Sequence, residues 1–67
     1  MVELGKYKHF KGGMYEVIGI AKHSETLKEM VVYKALYGDG EIWVRPIEMW
    51  NEKVLIDGKY VNRFQKV

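Results

Sequence analysis

At 67 residues, the chain has the length of one small domain and too little material for a deep substrate cleft. At this size folding hides only about 60% of the surface that the unfolded chain exposes. It contains no cysteine, which excludes a disulfide scaffold and thiolate metal ligation. Eleven Lys and Arg against nine Asp and Glu leave a net charge of +2, short of the strongly basic balance of a dedicated nucleic-acid domain.

The opening Met1 to Lys6 lacks the apolar stretch of a signal peptide, and no apolar run is long enough to cross a bilayer. A cytoplasmic protein with no membrane partner is therefore expected. Residues 1–23 and 45–67 each sum to +2 and the segment between them to −2, so the two ends would form a mildly basic surface if they meet. Dispersed, solvated charge is the plainer account.

Turn residues punctuate the chain at short intervals. Gly12-Gly13 suits a two-residue type I′ turn, which would set Tyr7 opposite Ile18 and His9 opposite Glu16. A polar loop over Ser24 to Lys28 would place Ala21 opposite Val31, Gly19 opposite Tyr33, Val17 opposite Ala35 and Tyr15 opposite Tyr37. Gly19 would then leave room for the Tyr33 ring. The other face of this hairpin, with Ile18, Ile20, Val32 and Leu36 among Glu16, Lys22 and Lys34, is only half apolar.

Gly38-Asp39-Gly40 admits two registers. An Asp39-Gly40 turn, favoured by the strength of the Asp-Gly signal, pairs Ala35 with Val44 and sends Trp43 to the half-apolar face. A three-residue turn instead places Trp43 opposite Ala35 and Arg45 beside Tyr33. Pro46 has no N–H to give a ladder, and Ile47 to Trp50 has room for one tight 3-10 turn. Asp57-Gly58 closes a last hairpin with Leu55 opposite Tyr60 and Val54 opposite Val61. The expected fold is all-β: a small SH3-like barrel of five or six short antiparallel strands over residues 1–67. Tyr15, Val17, Ala21, Val31, Ala35 and Val54 would form its core.

Several of these stretches also carry a family resemblance. Tyr7-Lys8-His9-Phe10-Lys11-Gly12, Tyr15-Glu16-Val17, Ala21 to Thr26, Val31-Val32-Tyr33, Leu36-Tyr37-Gly38 and Trp43-Val44-Arg45-Pro46 resemble domain of unknown function 1653, a family of short bacterial proteins. Met49, Asp57-Gly58 and Arg63-Phe64 extend the resemblance over nearly the whole chain, and Trp50 stands where phenylalanine is expected. The resemblance implies a small bacterial cytoplasmic domain and brings no catalytic residues with it.

Catalytic patterns are weak. In His23-Ser24-Glu25 three consecutive loop residues would have to converge, whereas a triad is assembled from separate elements; local backbone bonding is the simpler role. His9 with Glu16, and His23 with Glu25, diverge across the strand, which argues against a metal site. The glycine pairs lack the strand-to-helix setting of a phosphate loop, and no cofactor is expected.

Trp43 and Arg45 sit two apart, on one face of a strand. With Tyr33 and Tyr37, and with His9, His23 or Trp50 at the rim, they would make a shallow groove for a peptide, a nucleotide or single-stranded RNA. A non-enzymatic binding module is the favoured function. The rivals are a small-molecule enzyme using His23 and Glu25, with Arg45 as anion anchor, and a structural subunit that forms a homodimer through its half-apolar face. Arg45 separates structure from function most directly. As a ligand anchor it carries little stability, whereas buried against Glu41, Glu48 or Glu52 its loss would cost roughly 3 kcal/mol.

Overall fold

The computed structural model describes residues 2–67. β1 (Gly5–His9), β2 (Met14–Lys22), β3 (Glu29–Ala35) and β4 (Ile42–Pro46) lead into a single helical turn, α1 (Ile47–Trp50), followed by β5 (Lys53–Ile56), β6 (Lys59–Asn62) and β7 (Phe64–Lys66). The architecture is all-β. Five strands form an antiparallel sheet in the order β4-β3-β2-β1-β7, and β5 and β6 form a separate hairpin. β4 and β7 remain edges, so the sheet curls without closing into a barrel. The strand count is seven rather than five or six because the last three residues before Val67 pair back onto β1, Tyr7 with Lys66 and His9 with Phe64. The turn after Pro46 is α rather than 3-10, with Asn51 N donating to Ile47 O.

Turn chemistry explains where the expected pairings shift. In the first hairpin the turn is Phe10-Lys11-Gly12: Gly12 N donates to His9 O at 2.7 Å, and His9 N to Gly13 O at 2.7 Å. Gly12 alone takes the left-handed backbone, at φ 105°. Tyr7 consequently faces Tyr15 rather than Ile18, and Lys6 rather than His9 faces Glu16.

Between β2 and β3, His23 N donates to Lys28 O, and Leu27 adopts φ 61°. The loop is therefore one residue tighter than expected, and Ala21 pairs with Met30 and turns to solvent. A bulge at Ile18, between Val17 and Gly19, then slips the register a second time. Two one-residue slips restore the face, because side chains alternate with period two. Val17 and Tyr15 thus remain on the core side, opposite Tyr33 and Ala35. Gly19 faces Val32, and the space a Cβ would occupy there is empty within 4 Å, so it is not a slot for the Tyr33 ring.

The loop after β3 uses both glycines in the left-handed region, Gly38 at φ 58° and Gly40 at φ 67°. It is longer than an Asp39-Gly40 turn and ends with Ala35 N donating to Glu41 O. Trp43 pairs with Tyr33 and Arg45 with Val31, two residues further along β3 than a three-residue turn would set them; the even shift keeps both on the core side, the face that alternative gave them and the favoured Asp39-Gly40 register did not. The Asp57-Gly58 hairpin has its expected pairs, Leu55 with Tyr60 and Val54 with Val61, with Asp57 at φ 50° and Gly58 at φ 79°.

The core contains Val2, Tyr7, Val17, Val31, Tyr33, Trp50 and Phe64, with Tyr15 and Ile47 packed against it. Trp50 lies flat on Phe64, ring centroids 3.7 Å apart, while Tyr7 and Tyr33 meet Trp50 edge-on at 5.3 and 5.0 Å. Without disulfides, aromatic area of this kind is what holds so short a chain together. The β5-β6 hairpin contributes little, since Val54 alone of its strand residues is half-buried. The radius of gyration, 12.3 Å, exceeds the roughly 11 Å of a compact chain of this length, as a projecting hairpin requires. Among the described residues no helix is long and apolar enough to cross a membrane.

Candidate functional site

The core side of the sheet gathers aromatic side chains around one arginine. Arg45 enters from β4, Tyr33 from β3, Tyr15 from β2, His9 from the end of β1 and Phe64 from β7. Arg45 Nε donates to Tyr33 Oη at 3.4 Å, and its guanidinium lies 5.6 Å from the centroid of the Phe64 ring. A guanidinium over an aromatic face is attracted by the ring quadrupole. Among the described residues Arg45 makes no ion pair: Glu48 approaches Lys28 at 3.8 Å, and Glu52 approaches Arg63 at 3.9 Å. The buried ion pair that would have made Arg45 structural is therefore not what holds it.

His9 records the field around this arginine. Its ring meets Phe64 at 4.9 Å and Tyr15 at 6.3 Å, and Nδ1 accepts from Lys11 N. Its pKa lies below the ordinary 6.5, first because burial disfavours the charged ring and then because Arg63, Arg45 and Lys11 repel a further proton. Three cations thus converge on one neutral imidazole. Arg63 Nε is also buried without a hydrogen-bond partner among the described residues.

The same face continues toward the loop after β3. Trp43 and Tyr37 are about half exposed, at 49% and 54%. Tyr37 Oη shares a hydrogen bond with Tyr15 Oη, and the rings meet edge-on at 5.5 Å. This bond, with burial second, pushes the Tyr15 phenol up to about 12.

The residues singled out in the sequence divide between inside and outside the groove. Arg45, Tyr33 and Trp43 lie on the core side of the sheet, Tyr37 joins them through Tyr15, and His9 meets Tyr15 and Phe64. Trp50 is 3% exposed and belongs to the core, because α1 turns it inward onto Phe64 rather than out to a rim. His23 lies in the β2-β3 loop, where Nδ1 accepts from Glu25 N at 3.1 Å and Thr26 N at 3.3 Å. Thr26 Oγ1 accepts from Lys28 N, so this loop bonds to its own backbone. Tyr15 and Phe64 pack on the same face and Arg63 acts on His9 through its charge; none of the three was among the site candidates of the sequence. Arg63-Phe64 stood out only as a string shared with a family, and β7, which places it, is too short to signal itself.

A family model described as a protein of unknown function, DUF1653, matches residues 5–66. The chain belongs to the DUF1653 family. A crystal structure of a DUF1653 protein from Bordetella bronchiseptica is 34% identical and superposes with a TM-score of 0.90, covering 98% of this chain and 87% of that one. No curated protein matches the chain. The DUF1653 resemblance read from Tyr7 to Gly12, Trp43 to Pro46 and Arg63-Phe64 is thereby the family itself, with a bacterial relative of the same fold.

Proposed function

We propose that this DUF1653 protein is a non-enzymatic binding module whose concave groove holds an anionic group of its partner, a peptide, a nucleotide or single-stranded RNA. The observation that carries this reading is Arg45, half-buried against Phe64 and Tyr33 and, among the described residues, in no ion pair with a carboxylate. A guanidinium has five donors in a planar fork suited to carboxylate or phosphate, and only one donor of Arg45 is engaged, by the long bond to Tyr33. The neighbouring Arg63 adds positive potential, and the neutral His9 adds no negative charge that would repel the anion. Trp43, half exposed beside Arg45 on the same strand face, supplies a surface on which a flat ring or a side chain can stack. In this reading the open sheet works as an SH3-like module in the cytoplasm.

Titration with inorganic phosphate and with a nucleoside monophosphate, followed by NMR, tests the assignment. Binding should raise the His9 pKa, because a bound anion offsets the two arginines, and Arg45→Ala should weaken it by about tenfold or more. Binding that survives Arg45→Ala, or that leaves His9 unmoved, would place the anion elsewhere.

A further inference from the structure

We infer that the loop between β3 and β4 builds a second subsite of opposite sign, which takes an organic cation, an alkylammonium or guanidinium head group. A cavity of about 240 Å³ opens there, lined by Ala35, Tyr37, Gly38, Asp39, Glu41 and Trp43. That is below the roughly 300–1,000 Å³ of pockets that swallow whole small molecules, so it suits a head group. Two aromatic residues form part of its wall, and Trp43 and Tyr37 are each about half exposed. Tyr37 is held in place by its bond to Tyr15 and by edge-on ring contact, which fixes one wall before any ligand arrives. Aromatic faces beside a cation attract it through their quadrupoles, most strongly for tryptophan.

The carboxylates point to the same ligand. Asp39 and Glu41 flank the cavity, and among the described residues neither makes an ion pair. The Lys34 side chain runs close to Gly40 but, among the described residues, makes no ion pair with either acid. The left-handed Gly38 and Gly40 let the loop bring both acids to one cavity. An anion would meet two carboxylates here, and a neutral apolar group would leave them without a counter-charge. The subsite does not depend on what Arg45 holds.

A titration of isotope-labelled protein with tetramethylammonium chloride, against sodium chloride at equal ionic strength, tests the inference. A second arm uses a capped tripeptide with a central lysine, which distinguishes a free alkylammonium ion from a side chain presented by a peptide. The Trp43 indole N–H and the Gly38 and Gly40 amides should shift saturably, while the buried Trp50 indole stays fixed. The double variant Asp39→Asn, Glu41→Gln should weaken binding by about tenfold, and Trp43→Ala should abolish the shifts of Gly38 and Gly40. Arg45→Ala removes a nearby positive charge, so it should leave cation binding as tight or tighter. Shifts equal to those in sodium chloride, insensitivity to loss of the two acids, or loss of binding in Arg45→Ala would overturn the subsite. Saturation by tetramethylammonium alone assigns it to free alkylammonium ions, and saturation by the tripeptide assigns it to a peptide side chain.

Discussion

Arg45→Ala should destabilise the protein by roughly 1 kcal/mol, between the values expected of a free surface residue and of a buried ion pair. The change removes a guanidinium 5.6 Å from the Phe64 centroid, and such contacts are worth about 0.5–1 kcal/mol when partly exposed. It also removes a 3.4 Å hydrogen bond to Tyr33, near the limit of useful geometry and worth a few tenths of a kcal/mol at most. No carboxylate is stranded, so the ~3 kcal/mol penalty of a broken buried pair does not arise. A domain of this length has about 3–10 kcal/mol of stability in all, and a loss near 1 kcal/mol lowers its melting temperature by about 4–8 °C. Urea denaturation should show a lower midpoint with an unchanged slope. The His9 pKa, read by NMR in the same variant, should rise because one of its repelling cations has gone. A loss of about 3 kcal/mol, or a His9 that does not move, would refute the reasoning.

Phe64→Ala removes the ring that stacks on Trp50 and should cost about 3–5 kcal/mol, enough to abolish near-UV circular dichroism in a domain this small. Tyr37→Phe should return the Tyr15 phenol from about 12 toward its ordinary 10.0, because the hydroxyl partner is the largest cause of the shift; ultraviolet titration reads this directly. Since the folded value lies above the unfolded one, the Tyr15 contribution to stability is present below pH 10 and lost as pH rises toward 12, and Tyr37→Phe should flatten that loss. His9 runs the other way. Its folded pKa lies below 6.5, so the unfolded chain takes up the proton first, and stability should fall as pH drops below 6.5, a dependence that His9→Gln removes.

What the sequence revealed was what local chemistry controls. The Asp57-Gly58 hairpin could be paired residue by residue because two adjacent residues set its turn. Val17 and Ala35 were legible as core from alternation alone, even though the tight loop at Leu27 and the bulge at Ile18 each moved the register. Ala21 was lost because it lies between those two slips, where the face is reversed. Phe64, Val2 and the inward turn of Trp50 depend on contacts that join the two ends of the chain, and no short-range pattern announces them. That Arg45 and Tyr33 share a face followed from strand parity in the longer-turn alternative, but their pairing did not: Arg45 stands opposite Val31 and reaches Tyr33 through its side chain. Tyr15 was legible as an inward residue but not as a neighbour of Arg45, and Arg63 lies between β6 and β7, where no strand pattern places it.

The β5-β6 hairpin sets a limit on how the molecule unfolds. Its base is closed by Arg63 N donating to Glu52 O and by Phe10 N donating to Arg63 O, while its strands are almost wholly exposed. A two-stranded ribbon standing in water has little to hold it once its own cross-strand bonds break. Amide hydrogens from Lys53 to Asn62 should therefore exchange through openings of the ribbon alone, whereas those of β2 and β3 should wait for the whole sheet. The chain then melts as two cooperative units of unequal strength. A transition followed through Trp50, buried on Phe64 in the sheet, reports only the stronger one.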